Sequence, residues 1–295
     1  MCEILGSFNL PTKIFKEGLQ TASRYDHSAT GLGCFIQNKL ITSSQSGDAE
    51  NFLIERSVRK ILSYNPRLLI GHCRTPTQGS PENPLNNHPI RYKNFALIHK
   101  GVISNDKILR KIHHLKRRGE VDSQVIVQLI DKFYQERESV VWAIRKTQQL
   151  LEGTWACALL NKGKPNQVYL FSSFLPIWVC YSFHYKGFLF TTDLSIIDEF
   201  FGNKDILITK IEDMGLILGK KLQYFGLEFS NGSIENIINN LIKKEYYEQI
   251  KRINRSGNFY PGEFADPRVE ANQEIPFGFR RTTTVIPSSD TKSII

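Results

Sequence analysis

The sequence predicts an α+β fold in which two packed sheets carry helices on their outer faces. Short apolar runs of strand length fall into two blocks, one ahead of residue 104 and one after Gly153. Two helical patterns, Asp122 to Phe133 and Val140 to Leu151, stand between the blocks. Clusters of Gly, Pro, Asn and Thr punctuate the runs, as turn chemistry requires.

Taken in order, Glu3-Ile-Leu-Gly-Ser-Phe8 reads as a buried strand that opens on Cys2. Pro11 to Arg24 is helical, with Ile14, Phe15, Leu19 and Ala22 spaced three to four apart. Gly31 to Ile36 and Lys39 to Thr42 predict a hairpin turning at Gln37-Asn38. A second helix is expected over Asp48 to Tyr64, with Asp48 as its N-cap. Arg67 to Cys73 and Phe95 to His99 are short strands joined by a Pro/Asn/Gly/Thr-rich loop. Beyond the central helices, strands are expected over 156–160, 167–171, 177–181, 187–190, 206–209 and 214–218, with Gln223-Tyr-Phe pairing back. A polar amphipathic helix is expected over 231–255, followed by a mobile tail or docking strap over 256–295.

Composition sets the outer limits. A chain of 295 residues with 41% hydrophobic and 23% charged residues is globular in character and long enough for a full core. Five dispersed cysteines, an odd number with no C-x-x-C pair, argue against zinc and against a disulfide framework. No metal and no cofactor are expected, and a reducing cytoplasm fits best. The first ten residues read neither as a signal peptide nor as an anchor, and no apolar run reaches the roughly 18 residues a membrane span needs. The net charge of +9 gathers in Lys107 to Arg118 and in Lys243 to Arg255. Solvated helix faces are the preferred reading. A nucleic acid, a phosphorylated substrate or an acidic protein would also suit this charge.

Four segments carry candidate chemistry. Once the initiator Met is removed, Cys2 has its α-amine, which titrates near ~8, beside its own thiol, near ~8.5. Nucleophile and base then share one residue. The loop Gly71-His-Cys-Arg74-Thr-Pro-Thr-Gln-Gly-Ser-Pro81 begins with an Arg at a strand end. That Arg is suited either to grip a carboxylate bidentately or to cap the loop through backbone carbonyls. His99-Lys100-Gly101 brings a Gly whose backbone can approach a ligand closely. Asp122 opens a helix and reads either as a ligand-binding acid or as a plain N-cap.

In this order and spacing, the segments resemble the glutaminase domain of class II glutamine amidotransferases. The family pattern places an N-terminal Cys after Met, an R-G-x-D-S-A-G-like turn, a G-H-T-R-W-A-T-H-G-x-P loop, then N-A-H-P, H-N-G and D-T-E-V-I. Here stand Cys2, Arg24-Tyr-Asp-His-Ser-Ala-Thr-Gly31, Gly71 to Pro81, Asn86-Asn-His-Pro89, His99-Lys-Gly101 and Asp122-Ser-Gln-Val-Ile126. The likeness covers about residues 2–230 and implies the four-layer αββα sandwich of N-terminal-nucleophile hydrolases. It implies that Cys2 attacks the side-chain amide of L-glutamine and that Arg24 and Gly101 belong to the catalytic centre. Arg74 would hold the α-carboxylate and Asp122 the α-ammonium, with Thr75, Thr77 and Gln78 lining the pocket.

The departures are as informative. Lys100 stands where the family has its oxyanion-hole Asn, and Thr75 where it has Trp. Losing one oxyanion donor typically costs roughly 10²–10³ in kcat. No synthase domain is expected in the residues after 230. The sequence therefore predicts a glutaminase module that supplies ammonia to an acceptor enzyme in another chain. Two alternatives stand beside it: a catalytically weakened glutamine-binding or scaffold relative, and an N-terminal-nucleophile amidase acting on another amide.

Overall fold

Antiparallel pairing joins every neighbouring pair of strands in two sheets of the computed structural model, which describes residues 2–24, 27–201, 206–211, 213–218 and 221–224. These residues belong to one compact unit, Met1–Ile237. The expected helix over 231–255, its basic cluster and the expected tail over 256–295 lie outside the described residues.

The strands are β1 (Glu3–Phe8), β2 (Ala29–Ile36), β3 (Lys39–Ser46), β4 (Leu68–Arg74), β5 (Ile90–Tyr92), β6 (Phe95–Ile103) and β7 (Gly153–Asn161). They continue with β8 (Gln167–Ser173), β9 (Ile177–Ser182), β10 (Gly187–Thr191), β11 (Ile206–Ile211), β12 (Met214–Leu218) and β13 (Lys221–Tyr224). The helices are α1 (Thr12–Ala22), α2 (Ala49–Ile54), α3 (Arg56–Ser63), α4 (Asp106–His113), α5 (Ser123–Arg137), α6 (Val140–Gln148) and α7 (Leu194–Phe201). A seven-stranded sheet runs β11-β9-β10-β1-β4-β2-β3, and a six-stranded sheet runs β13-β12-β8-β7-β6-β5.

The layering follows from what each element buries. In the first sheet β1 and β4 face β6 of the second, and β1 also meets β7. Helix α1 packs on β1 and β4, and α7 packs on β9 and β10. On the far side α5 packs on β5 and β6, with α6 against α5. Helix α5 is buried along most of its length, and its Val125, Ile126, Leu129 and Ile130 join Leu97, Cys157, Leu159 and Phe171 of the sheet in one apolar cluster. Each such side chain contributes about 1.5–3 kcal/mol on leaving water. The order of layers is helix, sheet, sheet, helix, as the family resemblance implies.

Most sequence expectations match in kind. The β2–β3 hairpin turns on Gln37 and Asn38, both with positive φ (50° and 61°), a two-residue turn that suits the twist of its strands. Asp48 caps α2 by accepting from the Asn51 amide at 2.8 Å. The single helix expected over 48–64 is broken in two at Glu55, whose ψ of 134° is extended. β6 reaches Ile103, four residues past the expected end, and this carries Lys100 and Gly101 into a sheet rather than a loop. Helix α4 takes up Lys107–His113 of the basic segment and leaves Lys116, Arg117 and Arg118 exposed beyond its end.

Candidate active site

Cys2 stands directly ahead of β1, beside the end of β4, because Glu3 is in register with Cys73. Its thiol donates to the Thr75 carbonyl at 3.1 Å and accepts from the Thr75 amide at 3.2 Å. Burial raises the thiol pKa, while the Thr75 amide and the charge of Arg74 pull it back down. The net effect holds the thiol in its protonated form, so losing the proton takes a base.

Arg74 ends β4 almost fully buried. One guanidinium nitrogen donates to Asn87 Oδ1 at 3.1 Å, and the other donates to the carbonyl of Gln78 and, at 2.8 Å, to that of Gly79. An Arg has five N–H donors, so three are engaged here and two remain. The guanidinium feels the charges of Cys2 and Asp122, which places these groups in one electrostatic neighbourhood. The loop-capping reading is what these bonds show for Arg74. It caps its loop and keeps donors to spare.

Asp122 caps α5 by accepting from the Ser123 amide at 2.8 Å, and its other oxygen accepts from the Ile103 amide at 2.7 Å. Each carboxylate oxygen has two lone pairs, so capacity for a cation is left. Behind it, three buried histidines converge. Ser123 Oγ lies between His88 Nε2 (2.9 Å) and His99 Nδ1 (2.8 Å), and His72 Nε2 bonds the His99 carbonyl at 2.9 Å. Burial lowers the pKa of all three, His72 to about 3. They form a neutral frame joining β4, β6, the loop at His88 and the start of α5.

Gly101 has φ +133°, and a Cβ there would lie 2.0 Å from the Thr154 carbonyl oxygen. Only glycine fits. Gly31 is forced in the same way, since its Cβ would meet the His88 carbonyl oxygen at 2.0 Å.

Lys100 lies elsewhere than the site's open side. Its ammonium pairs with Glu3 Oε1 at 2.8 Å, both side chains nearly buried, and Glu3 Oε2 accepts from Thr192 Oγ1 at 2.6 Å. The Thr192 hydroxyl in turn accepts from the Ile4 amide at 3.2 Å. The residue expected at the oxyanion position is therefore the cation of an ion pair linking β1 to β6. Arg24 is also apart from the cluster, in an exposed pair with Glu199 of α7 at 2.8 Å. Thr77 is exposed on its loop, and Gln78 is half-buried with its carbonyl on Arg74. The structure thus gathers Cys2, Arg74, Thr75 and Asp122 and leaves Arg24 and Thr77 outside. Glu3 and Thr192 escaped the sequence reading. The available signal was a lone acid in β1 and a lone base in β6, two apolar strands in which a charge needs a partner.

No protein-family model matches the chain. Its sequence is similar to glutamine–fructose-6-phosphate aminotransferases (isomerizing). That of Helicobacter pylori is 27% identical over 266 residues, 84% of this chain and 43% of the relative. That of Chlamydia pneumoniae is 29% identical over 184 residues, 60% of this chain and 30% of the relative. The matches therefore span less than half the length of these relatives. Among solved structures, the glutamine phosphoribosylpyrophosphate amidotransferase of B. subtilis, complexed with ADP and GMP, superposes with a TM-score of 0.60 at 17% identity, over 75% of this chain and 48% of that one. A structure described as the allosteric regulatory enzyme of purine biosynthesis gives 0.58 at 16% identity over the same shares. The chain shares its fold with these two solved structures, and its sequence similarity to glutamine-dependent aminotransferases agrees with the resemblance drawn from the motifs. No described helix is long and apolar enough to cross a membrane.

Proposed function

We propose that this chain is a glutaminase module that, once Met1 is removed, hydrolyses L-glutamine through Cys2 and passes the ammonia to an acceptor enzyme in another chain. In this reading Arg74 receives the substrate carboxylate on its two unengaged N–H groups, and Asp122 receives the α-ammonium. The α-amine of Cys2 takes the thiol proton, and the thiolate attacks the amide carbon. The Gly101 N–H helps hold the oxyanion. The C–N bond then breaks, ammonia leaves with the relayed proton, and water cleaves the γ-glutamyl thioester to glutamate and free thiol. The observation that carries the reading is the placement of Cys2 Sγ beside the Thr75 amide, with Arg74 in electrostatic reach of both Cys2 and Asp122.

A second reading has its own support. The Lys100 ammonium is committed to Glu3, which leaves Gly101 without an obvious second donor. A catalytically weakened glutamine-binding relative would look like this. Glutamate release from glutamine by the Met1-free chain, compared with Cys2→Ala, separates the two. Cys2-dependent release supports the glutaminase. Glutamine binding without release in an assay sensitive to slow turnover supports the weakened relative.

A further inference from the structure

Away from Cys2, a cavity of about 280 Å³ opens where β3 and β5, edge strands of the two sheets, approach α5. Three cations line it: Arg91, Lys93 and Arg118. Lys93 is matched by Asp131 at 2.5 Å. Arg91 is half-buried and donates to the Leu40 carbonyl at 3.1 Å, and among the described residues it has no carboxylate partner. Arg118 lies over the Tyr92 ring at 5.8 Å and likewise has no ion pair among the described residues. Two positive charges therefore face this space uncompensated, one of them partly removed from water. Such charges favour an anion, and the planar guanidinium matches phosphate oxygens.

The rest of the lining mixes apolar side chains (Pro84, Leu85, Pro89, Ile90, Val127) with polar ones. Gln128 is 3% exposed, its amide nitrogen donates to the Lys116 carbonyl at 2.9 Å, and its Oε1 has no partner among the described residues. A buried acceptor without a donor is costly, and this oxygen is enclosed by the protein. Thr42 and Ser44 add hydroxyls from the facing strand. A volume of about 280 Å³ lies at the lower end of the roughly 300–1,000 Å³ typical of small-molecule sites, which suits a small ester.

We propose that this cavity binds a small polyol phosphomonoester, its phosphate between Arg91 and Arg118 and its hydroxyls toward Thr42 and Ser44. The inference does not depend on the glutaminase reading. Asn87 nevertheless lines the cavity and also accepts from Arg74, so the two sites share a wall.

Calorimetric titration of the full chain tests this with inorganic phosphate, glycerol 1-phosphate, AMP and sodium chloride of matched ionic strength. Saturable binding of phosphate and tighter binding of glycerol 1-phosphate are expected. Both should weaken at least tenfold in Arg91→Gln and Arg118→Gln and be unchanged in Lys13→Gln. Arg118 is exposed, so its variant keeps the test decisive should Arg91→Gln fail to fold. No saturable binding, equal binding in the Arg118 variant, or AMP binding as tightly as glycerol 1-phosphate would overturn the proposal.

Discussion

The two ends of the candidate site are built differently. At the Asp122 end, the carboxylate, Ser123, His88, His99 and the Ile103 amide hold one another in place, and Arg74 is pinned by Asn87 and two carbonyls. This end is held rigidly by its own bonds. At the Cys2 end, the thiol bonds only the Thr75 backbone among the described residues, and the Lys100 ammonium is spent on Glu3. In the proposed function, substrate binding falls to the end framed by many bonds, and chemistry to Cys2, its own amine once exposed, and Gly101. On that reading the two halves draw on different residues of the same strands, so one can change while the other is kept.

The largest expected effect strikes the Cys2 end. Removing one partner of a buried pair leaves the other charge uncompensated, at about 3–5 kcal/mol. Lys100→Met and Glu3→Gln should each lower unfolding free energy by that order in denaturant titration, and the double variant should recover most of it. Additive losses would show that the pair is not coupled. Next comes the Asp122 end. On a Cys2→Ala background, Asp122→Asn should weaken glutamine binding by roughly 2–4 kcal/mol, because the α-ammonium loses its counter-charge. Unchanged affinity by calorimetry would move the head group elsewhere.

The histidine frame yields a smaller, pH-dependent effect. His72 is held at about 3 when folded, against an ordinary value near ~6.5. The unfolded chain therefore binds a proton that the folded chain refuses. Stability is full above pH ~6.5 and falls as the pH drops toward 3, by on the order of 2 kcal/mol at pH 5 from this residue. Thermal melts across that range should flatten in His72→Gln, and an unaltered slope would assign the loss to other groups. The smallest effect belongs to the surface. Arg24→Ala should cost no more than about 1 kcal/mol, since exposed ion pairs contribute little. A large loss of glutaminase activity in that variant would bring Arg24 back into the catalytic centre.

Local pattern made much of this legible. The Gln37-Asn38 turn, the Asp48 cap and the strand periods are short-range physics, written within a few residues. Cys2, Arg74, Gly101 and Asp122 could be picked out because their order and spacing match a known pattern. The Glu3–Lys100–Thr192 linkage could not, because its members lie 97 and 189 residues apart and meet only when β1 is set against β6 and the end of β10. The Arg24–Glu199 pair was equally illegible, since the two residues lie far apart in sequence and meet only when α7 is set beside α1. The break at Glu55 is a tertiary choice that a continuous helical pattern conceals.

The central claim is that Cys2 becomes an N-terminal nucleophile aimed at glutamine. Intact-mass measurement after treatment with a glutamine-mimicking alkylating analogue tests it most directly. A chain lacking Met1 and carrying one adduct, located on Cys2, blocked by excess glutamine and absent in Cys2→Ala, is the result expected. Retention of Met1, or labelling that ignores both glutamine and the Cys2 substitution, would contradict it.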